Sequence, residues 1–155
     1  MDIVEICIKA LLEEKRFFHN FTPSELEILT PFFHLNRCQP DEVLIEEGSA
    51  PGGPFSIIVS GSLEIKKRTE FGRHIVLAKV SRGALIGYGS IHRMTRPFAI
   101  TATALEKTEL LYIPPDDFNR LLEEYPQIGV KILREVIRVQ DIRLQELLER
   151  FTSTM

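Results

Sequence analysis

Phe55-Ser56-Ile57-Ile58-Val59-Ser60-Gly61-Ser62-Leu63 is the stretch whose reading sets the fold class. Phe55, Ile57 and Val59 alternate with Ser56 and Ser60, the period of a half-buried strand, and Gly61 marks the turn that follows. Outward from it the same pattern repeats. Between Asp41 and Ile113, turn signals fall at short intervals: Glu47-Gly48, Pro51-Gly52-Gly53-Pro54, Ser60-Gly61-Ser62, Glu70-Phe71-Gly72, Ser81-Arg82-Gly83 and Arg96-Pro97. Short β-rich runs lie between them, over residues 43–45, 55–59, 63–66, 74–80, 99–104 and 110–113. Many short strands at this spacing predict a β-sandwich or jelly-roll barrel.

Helical periods flank this middle. Ile3, Cys7, Ala10 and Leu11 recur at helical spacing within residues 3–16, beside Glu5, Lys9, Glu13 and Glu14. A second helix starts at Thr22-Pro23-Ser24-Glu25, where threonine caps, proline suits the first position and glutamate bonds back. Leu26 and Leu29 then face inward. Past the β-rich region, Pro114-Pro115-Asp116 ends the last strand and offers a cap for a helix over 117–124. Pro126 separates that helix from a long one reaching about Phe151. The expected fold is mainly β with flanking helices, a single domain over 1–155. It has N-terminal helices in 1–30, a β-barrel in 40–113 and C-terminal helices in 116–152.

Composition removes several function classes. The net charge of -3 argues against a protein that coats nucleic acid or an anionic membrane. Cys7 and Cys38 are too few and too far apart for a disulfide scaffold or zinc knuckle, and read as free buried thiols in a reducing compartment. Met1-Asp2-Ile3-Val4-Glu5 carries no basic leader, and no apolar run approaches a membrane span, so a cytoplasmic protein is expected. His19, His34, His74 and His92 are scattered and form no metal-binding pair. Gly87-x-Gly89 is too short for a dinucleotide fingerprint, and there is no Gly-x-Ser-x-Gly elbow. No catalytic set and no metal site are expected. The basic run Lys66-Lys67-Arg68, with Arg73, is interrupted by Glu64 and Glu70 and reads as a solvated hairpin tip.

Three motifs carry a family resemblance. Val43-Leu44-Ile45-Glu46-Glu47-Gly48 looks like a strand leading into Glu-Gly-Asp, with Ser49 in place of the aspartate. Phe55 to Leu63 looks like a strand closed by a glycine turn. Gly83-Ala84-Leu85-Ile86-Gly87-Tyr88-Gly89-Ser90-Ile91, followed by Arg96-Pro97-Phe98-Ala99-Ile100-Thr101-Ala102, looks like Gly-Asp-x-Phe-Gly-Glu-x-Ala-Leu followed by Pro-Arg-x-Ala-Thr-Val. From about Phe17 onward the chain thus resembles the cyclic-nucleotide-binding domain of catabolite-activator-type regulators, kinase regulatory subunits and gated channels. Gly83, Gly87, Pro97 and Thr101 keep their places, Ile86 and Ile91 keep apolar character, and Phe118, Leu121, Leu122 and Pro126 continue the pattern into a helical lid. The resemblance implies that residues 83–101 are a phosphate-binding cassette. In such a cassette a short helix offers its first N–H groups to the cyclic phosphate. It implies ligand-side positions at Gly87, Tyr88, Gly89, Ser90, Ile91, Arg96, Phe98 and Ala99.

The departures fall on the gripping residues. Tyr88 stands where the family glutamate holds the ribose 2′-hydroxyl, and Phe98 where the family arginine pairs with the phosphate. Losing two charge-assisted contacts costs about 3–6 kcal/mol, on the order of a hundred- to ten-thousandfold in affinity. No cofactor is therefore expected, and cAMP or cGMP should bind weakly or not at all. Three alternatives stay open: Arg96 or Arg93 supplies a cation from a remodelled loop; Tyr88 and Phe98 form a flat apolar site for an aromatic or acyl group; or the two rings fill the old cavity. The last is the stronger expectation. His92 lies beside the cassette and reads as an exposed loop residue.

The long terminal helix has two apolar edges. Leu133, Ile137, Gln140, Leu144, Leu147 and Phe151 follow alternating steps of four and three, a heptad-like seam, while Ile132, Val136 and Val139 form an edge suited to the barrel. The resemblance implies a homodimer through this helix, with Gln140 setting register. In transcription-factor relatives a helix-turn-helix after this helix reads DNA; the sequence ends at Met155, and DNA binding by this chain is not expected. The leading expectation is a non-catalytic regulatory or scaffolding module that contacts another protein. The second is a sensor that binds a cyclic nucleotide or another ligand in a modified cassette. A small jelly-roll enzyme is third, and lacks a placeable acid–base pair.

Overall fold

The structure, a computed structural model, describes residues 2–14, 17–87 and 95–154. Strand β3 (Phe55–Ser60) is covered on both faces. Phe55, Ile57 and Val59 join a cluster with the helices, and Ile58 points into a second cluster with Leu63, Ile86, Ala104 and Leu110. The expected alternation is real, but neither face is half-exposed: even Ser56 is only 6% accessible. The physical reason is that helices cap the outer side of the sheet while its inner side lines the barrel.

Two antiparallel four-stranded sheets are described. The first has the order β1 (His34–Cys38), β8 (Thr108–Ile113), β3, β6 (Leu85–Ile86). The second has β2 (Val43–Ile45), β7 (Thr101–Ala104), β4 (Ser62–Arg68), β5 (His74–Ser81). This is the jelly-roll arrangement that the spacing of turn signals implies. Two strands, β1 and β6, give no signal in the sequence. His34-Leu35-Asn36-Arg37-Cys38 lies at a sheet edge with Cys38 as its only buried residue, so it lacks an apolar period. β6 is two residues long. Strand β7 starts at Thr101 rather than residue 99, because the Phe98 backbone pairs elsewhere: its N–H donates to Ser49 O (3.2 Å) and its carbonyl accepts from Gly48 N (2.8 Å).

Gly61 makes the tight link between β3 and β4. Its φ is +88°, and a Cβ there would stand 2.4 Å from Thr108 Oγ1 and 2.5 Å from Lys107 O. Thr108 is itself buried, and its hydroxyl accepts from Ser62 N at 3.2 Å. Gly61→Ala should cost about 2–5 kcal/mol, from backbone strain plus overpacking, read as a lower urea midpoint at unchanged slope.

Helix α1 (Ile3–Glu13) is capped by Asp2, whose carboxylate accepts from Glu5 N at 2.9 Å. Helix α2 (Pro23–Leu29) opens with the anticipated capping box: Glu25 N donates to Thr22 Oγ1 (3.2 Å) and Thr22 N to Glu25 Oε1 (2.9 Å). Leu29 is fully buried and Leu26 partly so. Helix α3 (Pro115–Glu124) begins earlier than expected, with Pro114 at the cap position and no side-chain cap. Asp116 is therefore not the cap. It sits with Asp117 in the first turn, where a negative charge favours the helix N-terminus.

Helix α4 (Pro126–Ser153) is tied to the N-terminal helices by Lys131, whose amine donates to Asn20 O (2.9 Å) and pairs with Glu25. Ile132, Val136 and Val139 pack into the cluster with Phe17, Phe18, Phe55 and Phe118. The inner edge of α4 thus packs on the helices and on the outer face of the barrel's first sheet.

Candidate functional site

The cassette region is anchored at both ends. At its entry, Gly83 N donates to Ile58 O (2.7 Å), Ile58 N donates to Ala84 O (3.0 Å), and β6 pairs with β3 through Ile57↔Leu85 and Ser56↔Ile86. Gly87 follows at φ +72°, and a Cβ there would stand 2.5 Å from Pro54 O. Only glycine suits that position, for conformation and for space. Tyr88, Gly89, Ser90 and Ile91, with His92 and Arg93, lie outside the described residues.

At its exit, Arg96 and Ala99 are exposed and Phe98 is half-buried. Thr101, matched to the family as a motif residue, holds the backbone of a neighbouring turn, its hydroxyl accepting from Glu47 N at 3.0 Å. Glu47 then reaches the β4–β5 hairpin. Its carboxylate accepts from Arg68 N (2.8 Å) and from Lys67 Nζ (3.3 Å), and the same amine donates to Ala99 O at 3.0 Å. The hairpin tip is solvated as expected, with Phe71 almost fully exposed, but Lys67 departs from that reading and folds back onto the cassette.

The Arg68 N–H, and after it Lys67, hold the Glu47 carboxyl below the ordinary glutamate range. The folded value is lowered, so this latch contributes fully above the ordinary glutamate range and is lost as pH falls through the lowered value. A carboxyl-resolved NMR titration should place the Glu47 midpoint below those of exposed glutamates. Lys67→Met should raise it only part of the way, because the Arg68 N–H bond remains.

Two cavities flank this segment. One, of about 400 Å³, lies between the second sheet and α4, with Ile65, Val80 and Ile100 on one side and Arg143, Leu147 and Arg150 on the other. The second, of about 410 Å³, opens into the barrel beside Asn36, Ser49, Ser56 and Tyr112. Phe98 lines both, as do Ile45, Ile86 and Gly87. The Phe98 ring therefore walls both spaces; Tyr88, the other ring expected to fill the cavity, lies outside the described residues. Arg143 Nη2 donates to Leu85 O (2.8 Å) and Arg150 Nη1 to Leu77 O (2.5 Å), fastening the outer half of α4 to β6 and β5. Sequence reasoning misses both arginines, which look like polar spacers on a long helix.

Residues 35–125 match the family model of the cyclic nucleotide-binding domain. The chain belongs to that family. No curated protein sequence matches it. Among solved structures, this cyclic nucleotide-binding domain is similar to a cyclic nucleotide-binding domain from Methylobacillus flagellatus KT, at 24% identity, with a TM-score of 0.82 over 96% of this chain and 83% of that one. It is similar to the catabolite activator protein of Thermus thermophilus at 22% identity and a TM-score of 0.71, over 88% of this chain and 62% of that one. A cAMP-bound PfPKA-R structure shares 25% identity and a TM-score of 0.64, over 77% of this chain and 42% of that one. The domain thus spans somewhat less than two thirds of the Thermus regulator's length.

The seam residues stand on the outer face of α4. Leu133, Gln140 and Leu147 are exposed, as are Ile137 at 68%, Leu144 at 55% and Phe151 at 65%. Leu147 alone of them also borders the cavity beside the second sheet. Cys7 and Cys38 are free and buried, and burial pushes the Cys38 thiol up to about 12 and raises Cys7 as well, so neither is a reactive thiolate. Among the described residues no group of three or more His, Cys, Asp or Glu could hold a metal, and no helix is long and apolar enough to cross a membrane.

Proposed function

We propose that this cyclic nucleotide-binding domain is a non-catalytic regulatory or scaffolding module that grips cAMP and cGMP weakly or not at all. Phe98 is the observation that carries the reading. At the position of the phosphate-pairing arginine, it presents an apolar ring to both cavities. A phosphate brought against that ring loses water and gains no counter-charge. Tyr88 removes the ribose-binding carboxylate in the same way, and the proposed ligand-side set remains Gly87, Tyr88, Gly89, Ser90, Ile91, Arg96, Phe98 and Ala99. The domain works as one unit over residues 1–155 and as a homodimer through the outer face of α4. Its output is contact with another protein, which its net charge of -3 favours over DNA. Two free buried thiols suit the reducing cytoplasm. Native mass spectrometry of the purified protein, with and without added cAMP, tests this: the expected mass is that of a dimer carrying no nucleotide. A nucleotide adduct that survives purification would overturn it.

A further inference from the structure

The cavity between the second sheet and α4 has walls unlike those a nucleotide needs. Ile45, Ile65, Val80, Ile86 and Ile100 line it with branched aliphatic surface, and Phe98 adds one ring. Its volume of about 400 Å³ falls in the range of ordinary small-ligand sites. Among the described residues its charged lining is Arg143 and Arg150 against the carboxylate of Glu146, all on α4. Lys79, paired with Glu64 between the cavity-facing Ala78 and Val80, turns to the other face of the sheet. Arg150 directs one of its five N–H donors to Leu77 O.

We propose that this cavity binds a medium-chain aliphatic carboxylate, its chain against the isoleucine wall and Phe98 and its carboxylate at Arg150. The proposal rests on the reading that Tyr88 and Phe98 have removed the grip on cyclic nucleotides. The chemistry then follows from the lining. An aliphatic chain gains by leaving water, an aliphatic wall does not discriminate against it, and a single negative charge matches the cationic edge. A nucleotide would place a sugar and a phosphate against the same isoleucines. A bound chain would touch both the barrel and α4, and so would brace the helix that Arg143 and Arg150 already fasten to Leu85 and Leu77.

Calorimetry on the full chain with octanoate, decanoate and dodecanoate, each below its micellar concentration, tests the proposal. Decanoate should bind saturably, one per chain, and each added methylene should tighten binding about fourfold until the chain outgrows the cavity. Decylamine, with the same chain and the opposite charge, should not bind. Ala78→Phe, on the same strand face as Val80, should fill the space and abolish binding. Arg150→Gln, at the surface, should weaken decanoate by at least about tenfold without touching the core. Absence of saturable binding by all three carboxylates overturns the proposal. So does decylamine binding as tightly as decanoate, or decanoate affinity unchanged in either the filled or the neutralised variant. Titration of cAMP into the same protein separates the two readings: tight cAMP binding refutes the loss of the nucleotide grip, whereas silence from both cAMP and the carboxylates refutes only the carboxylate site.

Discussion

Tyr88→Glu and Phe98→Arg introduced together should restore measurable cyclic-nucleotide binding, with a gain of about 3–6 kcal/mol at best, or a hundred- to ten-thousandfold. The frame for the new side chains is in place on the exit side. The Phe98 backbone is held by Gly48 and Ser49, Thr101 is held by Glu47, and Ala99 is held by Lys67. On the entry side Gly87 is pressed against Pro54, and β6 is paired with β3. Phe98→Arg alone should recover more than Tyr88→Glu alone, because it meets a full negative charge with a planar fork of donors. Nucleotide-dependent thermal shifts on the four proteins complete a double-mutant cycle. A double variant that folds and gains nothing would mean that the loop has a backbone unlike the family's.

Leu144→Glu should split the homodimer. Leu144 is 55% exposed and lies outside the buried cluster that Ile132 and Val136 join, so its side chain is not needed to hold the barrel. In a two-fold seam the change removes an apolar contact and sets two carboxylates face to face. The cost of about 3–5 kcal/mol weakens association by about two to four orders of magnitude. Light scattering should report a dimer for the wild type and a monomer for the variant, with unchanged circular dichroism. A wild type that is monomeric at every accessible concentration removes the dimer, and so does a variant that unfolds.

Much of this arrangement is legible in the sequence because turns and caps are local. Thr22 and Glu25 form the box their spacing announces, Gly61 sits where only a glycine fits, and the runs around Phe55 and Ser62 become paired strands. Elements defined by distant partners are not legible. β1 has one buried side chain and exists because β8 pairs with it from His34↔Tyr112 to Cys38↔Thr108. The helix start at Pro115 depends on proline at the first position rather than on the Asp116 side chain. For the site, Gly87 and Phe98, which the motif singles out, line the cavities, but the residues that fasten the segment, Glu47, Lys67, Arg143 and Arg150, come from a distant strand end, a hairpin and a helix. A charged residue on a solvent-spaced pattern looks the same in sequence whether it meets water or a carbonyl.

Calorimetric titration of the wild-type protein with cAMP and with cGMP, at high protein concentration, tests the central claim most directly. Two lost charged contacts exceed what backbone donors restore, so neither nucleotide should give saturating heats below roughly 100 μM. Clear heats that saturate in the low micromolar range would contradict it, and would mean that the domain grips the cyclic phosphate without the arginine that Phe98 replaces.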